Sequence, residues 1–161
     1  MVAAPNPGTG HVYYYDFTLN NGFTTVSLSN QEAIAFAESF TYRGVRGHLL
    51  AIEDIFEQIF INSITADNVS FTTAWVDGSD ASSSRIFKHQ AGPATGNALN
   101  FTNWDSSSPD DVLSNNCIAF NTSSGYWMDV NCSAPLPVIV EFECPPGQHF
   151  GAKKCESLSK F

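Results

Sequence analysis

At 161 residues, with 43% hydrophobic and 14% charged side chains, the chain is long enough for one domain with a substantial core and short for two. That balance excludes a disordered chain, and the abundance of Ser, Thr and Asn with 13 Phe favours strands and loops over long helices. A formal net charge of −9 argues against nucleic acid as a partner, because phosphate backbones need clustered Lys and Arg. No apolar run approaches the roughly 20 residues that a bilayer crossing needs, so membrane insertion is not expected.

Residues 1–10, "MVAAPNPGTG", lack the charged and apolar regions of a secretory signal and read as a flexible lead-in. Two readings follow: a signal already removed, or a segment of a larger protein. "HVYYYDFTL" (His11 to Leu19) is β-branched and aromatic and predicts a strand. Ser29 with Glu32 forms a capping box, and Ala33, Phe36, Ala37 and Phe40 follow at helical spacing until Gly44 or Gly47. "HLLAI" predicts a short strand. Asp54 with Glu57 then opens a second helix carrying Ile55, Phe56, Ile59 and Phe60. "TTAWVDG" reads as a strand and "SDASSSR" as a turn into "IFKH". From Gln90 to Ser114 runs a long segment rich in Gly, Pro, Asn and Asp, and an unstructured loop of that length in a compact domain is usually functional or disordered. "NCIAFN", "GYWMDV" and "PVIVEFE" close the domain as three short strands. Helices early and strands late predict an α+β domain.

Two features point to a secreted, extracellular location. The chain carries glycosylation sequons at Asn68, Asn100, Asn121 and Asn131. It also has four cysteines with neither a CxxC pair nor a Cys/His cluster to suggest zinc. Four cysteines allow three pairings, of which the two local ones, Cys117 with Cys132 and Cys144 with Cys155, are favoured.

Four blocks, taken in order, carry a family resemblance: "GHLLAI" (Gly47 to Ile52), "AWVDGSD" (Ala74 to Asp80), "NWDSSSPDD" with Trp104 five residues before Pro109, and "WMDVNC" with Cys117 upstream. The chain from about residue 11 to 143 resembles the C-type lectin-like domain, which implies two helices packed on small antiparallel sheets with a long irregular loop region. The family usually ties helix one to the last strand by a second disulfide. Here those positions are Ala37 and Val140, apolar together, as expected where a cross-link typically worth about 2–4 kcal/mol has been replaced by packing. By that alignment Ala37 lies near Val140. Residues 144–161 then form a disulfide-stapled Pro/Gly tail or the start of a cysteine-rich repeat.

In sugar-binding members, one calcium in the long loop chelates vicinal sugar hydroxyls. Calcium wants six to eight oxygens. Carried over by position, its ligands are Ser108, Asp110, Asn115, Met128 and Asp129, with Asp111 as a substitute. Asp110 and Asp129 are good donors and Asn115 offers one neutral oxygen. Ser108 reaches less far, and the Met128 thioether has no oxygen to give. Calcium is therefore the one cofactor the resemblance offers, through Asp110, Asn115 and Asp129, and an orthodox site is not expected. Asp129 has a plainer role open to it, capping the loop, and Pro109 can hold a cis peptide that shapes the loop without metal. Trp75, Trp104 and Trp127 occupy positions the family uses for packing. The histidines (His11, His48, His89, His149) are scattered, with no nucleophile at recognisable spacing, so no catalytic residue is assigned.

The leading expectation is an extracellular, non-catalytic binding or adhesion module. It would use the loop from about Gln90 to Asn116 against a protein or a glycan, without an orthodox calcium site. A calcium-dependent lectin with a reworked site at Asp110, Asp111, Asn115 and Asp129 is the alternative. A third reading is a structural module that self-assembles into an extracellular fibre or wall. Fold alone does not choose among them.

Overall fold

A computed structural model describes residues 1–15, 25–81, 84–110 and 112–157. In chain order the elements are β1 (Val2–Pro5), β2 (Val12–Tyr15), β3 (Ser27–Leu28), α1 (Asn30–Glu38), β4 (Thr41–Tyr42), β5 (Val45–Arg46), β6 (His48–Leu49) and α2 (Ile55–Thr65). There follow β7 (Thr73–Ser79), β8 (Cys117–Asn121), β9 (Trp127–Val130), β10 (Leu136–Pro137), β11 (Val140–Phe142), β12 (Gln148–Phe150) and β13 (Cys155–Ser157). The α+β architecture is as the sequence predicts. Of the strand expected over residues 11–19, Val12–Tyr15 is formed and residues 16–19 lie outside the described residues.

Two antiparallel sheets carry the fold. One runs β1-β2-β11-β6 and the other β7-β8-β9, with β10-β3, β4-β5 and β12-β13 as two-stranded ribbons. The segment read as a flexible lead-in is strand-paired instead: Val2 lies opposite Tyr15 and Pro5 opposite Val12. Pro5 falls at the strand end, where a missing N–H costs no ladder bond.

Ser29 caps α1 with the reciprocal contacts of a capping box: its amide donates to Glu32 Oε2 at 3.0 Å, and the Glu32 amide donates to Ser29 Oγ. This helix turns Ala33 and Ala37 into a cluster with Trp75, Val140 and Phe142. Ala37 and Val140 thus share one core. Their approach is close enough that a Cβ on Gly47 would lie 2.7 Å from both the Ala37 carbonyl oxygen and Val140 Cγ1. Only glycine fits there.

Helix α2 departs from the expected face. Asp54 caps it as predicted, accepting from the Glu57 amide at 2.8 Å. Of the expected apolar residues Phe60 packs against the core, but Ile55, Phe56 and Ile59 are exposed, Phe56 at 77%, whereas Glu57, Gln58 and Ile61 are buried. The reason is hydrogen bonding. Gln58 Oε1 accepts from Trp127 Nε1 at 2.7 Å, and Glu57 accepts from the Tyr13 hydroxyl at 2.5 Å, so both polar side chains are satisfied inside.

Cys117–Cys132 and Cys144–Cys155 are the two disulfides. The long segment after Gln90 lacks periodicity because it is pinned one residue at a time. Lys88 bridges Ser79 and Ala98, the Asp105 amide donates to the Trp127 carbonyl, and the Trp127 amide donates to the Asn103 carbonyl. Phe101 and Trp104 meet the Trp127 ring at 5.8 and 5.9 Å. Those contacts hold the loop against the end of β9.

Candidate functional site

Strand β9 delivers the site. Its alternation buries Trp127 and Asp129, while Met128 is half-buried against the α1-side core and offers no oxygen to the loop. Asp129 lies opposite Ile118 on β8, at the end of the sheet that the loop covers.

Both carboxylate oxygens of Asp129 are engaged. Oδ1 accepts from the Asp110 amide at 2.8 Å and Oδ2 accepts from Arg85 Nη2 at 2.8 Å. The same guanidinium donates through Nη1 to Asp80 Oδ2 at 3.4 Å, and the Arg85 amide donates to that oxygen at 3.0 Å. The side chains of Asp80 and Asp129 are fully enclosed, while Arg85 is 26% exposed and lies 5.7 Å from the Phe87 ring centroid. Burial raises the Asp129 pKa, against the stabilising Asp110 amide and the Arg85 charge. Arg85 adopts φ +61°, a left-handed backbone uncommon for a residue with a side chain.

The predicted ligands are brought together in part. Asp110 Oδ2 accepts from Asn115 Nδ2 at 3.3 Å and its Oδ1 caps the Val112 amide at 2.8 Å, so Asp110, Asn115 and Asp129 form one cluster. The Ser108 amide donates to the Asp105 carbonyl at 3.2 Å. The Ser108–Pro109 peptide is cis. Asp111 lies outside the described residues.

Sequence reasoning missed Arg85 and Asp80. The signal was available: Asp80 ends the matched "AWVDGSD" block, and Arg85 is one of only seven basic residues, five positions further on. Tested against calcium, this donor set does not fit. Asp129 is closed by a guanidinium and an amide, Met128 has no oxygen, and Asp110 spends Oδ1 on its own loop. One atom argues the other way: Asp80 Oδ1 is buried without a hydrogen-bond partner.

The sequons lie at the surface to different degrees. Asn68, Asn100 and Asn131 are exposed, whereas Asn121 is half-buried with Oδ1 accepting from the Ser123 and Ser124 amides at 2.9 and 3.0 Å.

The profile of the Lectin C-type domain family matches residues 32–142, more than half of the chain. The chain belongs to this family. Human C-type mannose receptor 2 is 33% identical over 92 residues, which is 56% of this chain and 6% of that protein. The chain thus spans a small fraction of the length of the curated relatives it matches. Among solved structures, the mouse scavenger receptor C-type lectin carbohydrate-recognition domain aligns with TM-score 0.65 and 21% identity, covering 85% of this chain and 91% of its own. A calcium-independent type II antifreeze protein aligns with TM-score 0.62 and 20% identity, covering 88% and 95%. The fold is the C-type lectin fold.

Proposed function

We propose that this chain is an extracellular, non-catalytic recognition module, part of a larger secreted glycoprotein, whose long loop from about Gln90 to Asn116 engages a protein or a glycan without an orthodox calcium site. The observation that carries the reading is the guanidinium of Arg85. It sets one permanent positive charge against the enclosed carboxylates of Asp80 and Asp129 and occupies an Asp129 oxygen that an ion would need. Arg is suited to this role because its charge is permanent and its donors fan out in a plane. Val112 and Leu113, both exposed beside Asp110, give the loop apolar contact area that metal chelation would not need. Asn68, Asn100 and Asn131 are exposed and accessible for glycosylation, whereas Asn121 is half-buried.

Asp80 Oδ1, buried and unpartnered, favours a second reading, a calcium-dependent lectin with a reworked site. Calorimetric titration of the chelator-treated, disulfide-intact chain with calcium separates the two. The expected result is no saturable heat, with a glycan array giving the same pattern with and without calcium. A saturable heat that disappears in Asp129→Ala would overturn the proposal and establish the lectin.

A further inference from the structure

Residues 144–157 follow the stretch that the family profile matches, yet they are built onto the domain. Cys144–Cys155 closes them into a loop, within which β12 and β13 pair with Phe150 opposite Cys155. Their mooring is the ribbon β4-β5. Its two-residue turn, Arg43-Gly44, has φ of +46° and +78°, and positive φ at both positions is the backbone of a tight hairpin that suits the strand twist. From that turn Arg43 Nη1 donates to the Gly151 carbonyl oxygen at 2.9 Å, and Tyr42 meets the Phe150 ring edge-on at 5.2 Å.

Between ribbon and appendage lies a cleft of about 610 Å³, a volume typical of ligand sites. Val45 and Gly47 from the domain, with Pro93, Pro145 and Pro146, give it mainly apolar walls. Its rim is charged. Arg46 from β5 and Lys154 from the appendage both border it. Arg46 Nε donates to the Glu38 carbonyl oxygen at 2.9 Å, while the side chain as a whole is 73% exposed. Arg43 and Lys153 stand next to these two: a Cβ on Gly44 would lie 3.4 Å from the Lys153 carbonyl oxygen and 4.0 Å from Lys154 Cβ. Four of the seven basic residues of a chain with net charge −9 thus gather in one place. Little offsets them. Glu38 lies 3.8 Å from Arg46, an exposed pair of small worth, and Glu156 packs against Gly151. Glu143, also on the cleft, is engaged by His48 at 3.1 Å. The rim therefore keeps a positive excess on an otherwise acidic molecule.

We propose that this cleft is a second recognition surface, and that its occupant is an acidic segment of a partner protein carrying an apolar side chain. Carboxylates along the segment face Arg43, Arg46, Lys153 and Lys154, and the apolar side chain enters between Val45 and the prolines. Charge complementarity of this kind steers the encounter and fixes register. Several separate cations match several negative charges in a row, which a polypeptide supplies and a ligand with a single charged head does not. A sulfated glycan also carries the charges, but apolar walls would strip its hydroxyls of water without returning hydrogen bonds. From the long loop the cleft takes Gly92 and Pro93, and it takes nothing from the Arg85–Asp129 cluster, so the proposal stands or falls apart from the proposed function.

The test is fluorescence anisotropy of a labelled peptide of alternating Glu and Leu, titrated with the full, disulfide-intact chain in calcium-free buffer. Saturable binding is expected, weakening as sodium chloride is raised, because exposed charges are screened by salt. Arg46→Glu and Lys154→Glu should each lower affinity about fivefold or more, since each removes an attraction and adds a repulsion. Lys88→Glu makes the same change in net charge at an exposed position that does not border the cleft, and should leave affinity unchanged. A peptide with Ser in place of Leu should bind about tenfold more weakly or worse, having lost the side chain that the cleft buries. Because Arg46 also holds the end of α1, Lys154→Glu, at an exposed turn position, is the deciding variant. No saturable change in anisotropy would overturn the proposal. So would a Lys154→Glu effect no larger than that of Lys88→Glu, or equal affinity for the Ser peptide. A heparin oligosaccharide that binds where the peptide does not would overturn it as well and assign the patch to sulfated glycans.

Discussion

Arg85 Nη2 donates to Asp129 Oδ2 at 2.8 Å, and this contact joins the turn after β7 to the end of β9. Removing one partner of such a pair leaves enclosed charge without compensation. Arg85→Ala should therefore destabilise the chelated protein by about 2–4 kcal/mol, less than for a wholly buried pair because the guanidinium is 26% exposed. The same variant should gain stability on adding calcium where the wild-type chain does not. Thermal unfolding with and without calcium measures both.

His11 lies 2.7 Å from Glu141 and His48 lies 3.1 Å from Glu143, and these pairs set a pH dependence of stability. Burial opposes charge on His11, but the hydrogen bonds it donates to Glu141 and Glu57 outweigh it and raise its pKa to about 10. His48 is raised to about 9, where burial again opposes and Glu143 prevails, and burial lifts Glu141 to about 7. All three bind protons more tightly folded than unfolded, so their joint contribution falls as pH rises. Glu141 weakens the fold between about pH 4.5 and 7, and the histidine contribution, complete below about 6.5, is lost as pH climbs through 9 to 10. Urea unfolding of the chelated chain at successive pH values should give decreasing stability from mildly acid to alkaline solution.

Helix α2 offers a paired test of its inverted face. Phe56→Ser removes an exposed ring and should change stability by no more than about 0.5 kcal/mol. Gln58→Leu strands the Trp127 indole N–H and should cost about 1–3 kcal/mol. Denaturant titration of both variants decides whether the polar residues, and not the aromatic, hold the helix down.

Gly47→Ala should be costly for a purely steric reason. Its new methyl would stand 2.7 Å from the Ala37 carbonyl oxygen and from Val140 Cγ1, and relief requires parting α1 from β11. A loss of about 1–3 kcal/mol is expected from overpacking, read as a lower unfolding midpoint.

These tests also mark where the sequence was legible. Short-range signals read well: the Ser29–Glu32 capping box, the Asp54 cap and the Cys117–Cys132 spacing all occur as expected, while the distant pair Ala37 and Val140 was legible through the family alignment and not through any local pattern. Signals that depend on a partner far along the chain did not. Ile55, Phe56 and Ile59 have a convincing apolar period, yet burial of the helix is decided by Tyr13 and Trp127, which hydrogen-bond Glu57 and Gln58. The lead-in hid an edge strand because four residues of weak propensity form one only when β2 lies alongside. At the site, the acidic residues were identifiable from family spacing, whereas Arg85 reaches Asp129 across 44 positions by a left-handed turn that no local period encodes. His11 and Glu143 meet only through the pairing of β2 with β11.

The β2–β11 pairing also fixes the order in which the sheet would yield. β2 is held on both edges, with Val2 opposite Tyr15 on one side and Val12 opposite Phe142 on the other. A pull on the residues ahead of β1 would peel that edge strand first, and would load the His11–Glu143 contact only after β1 had come away.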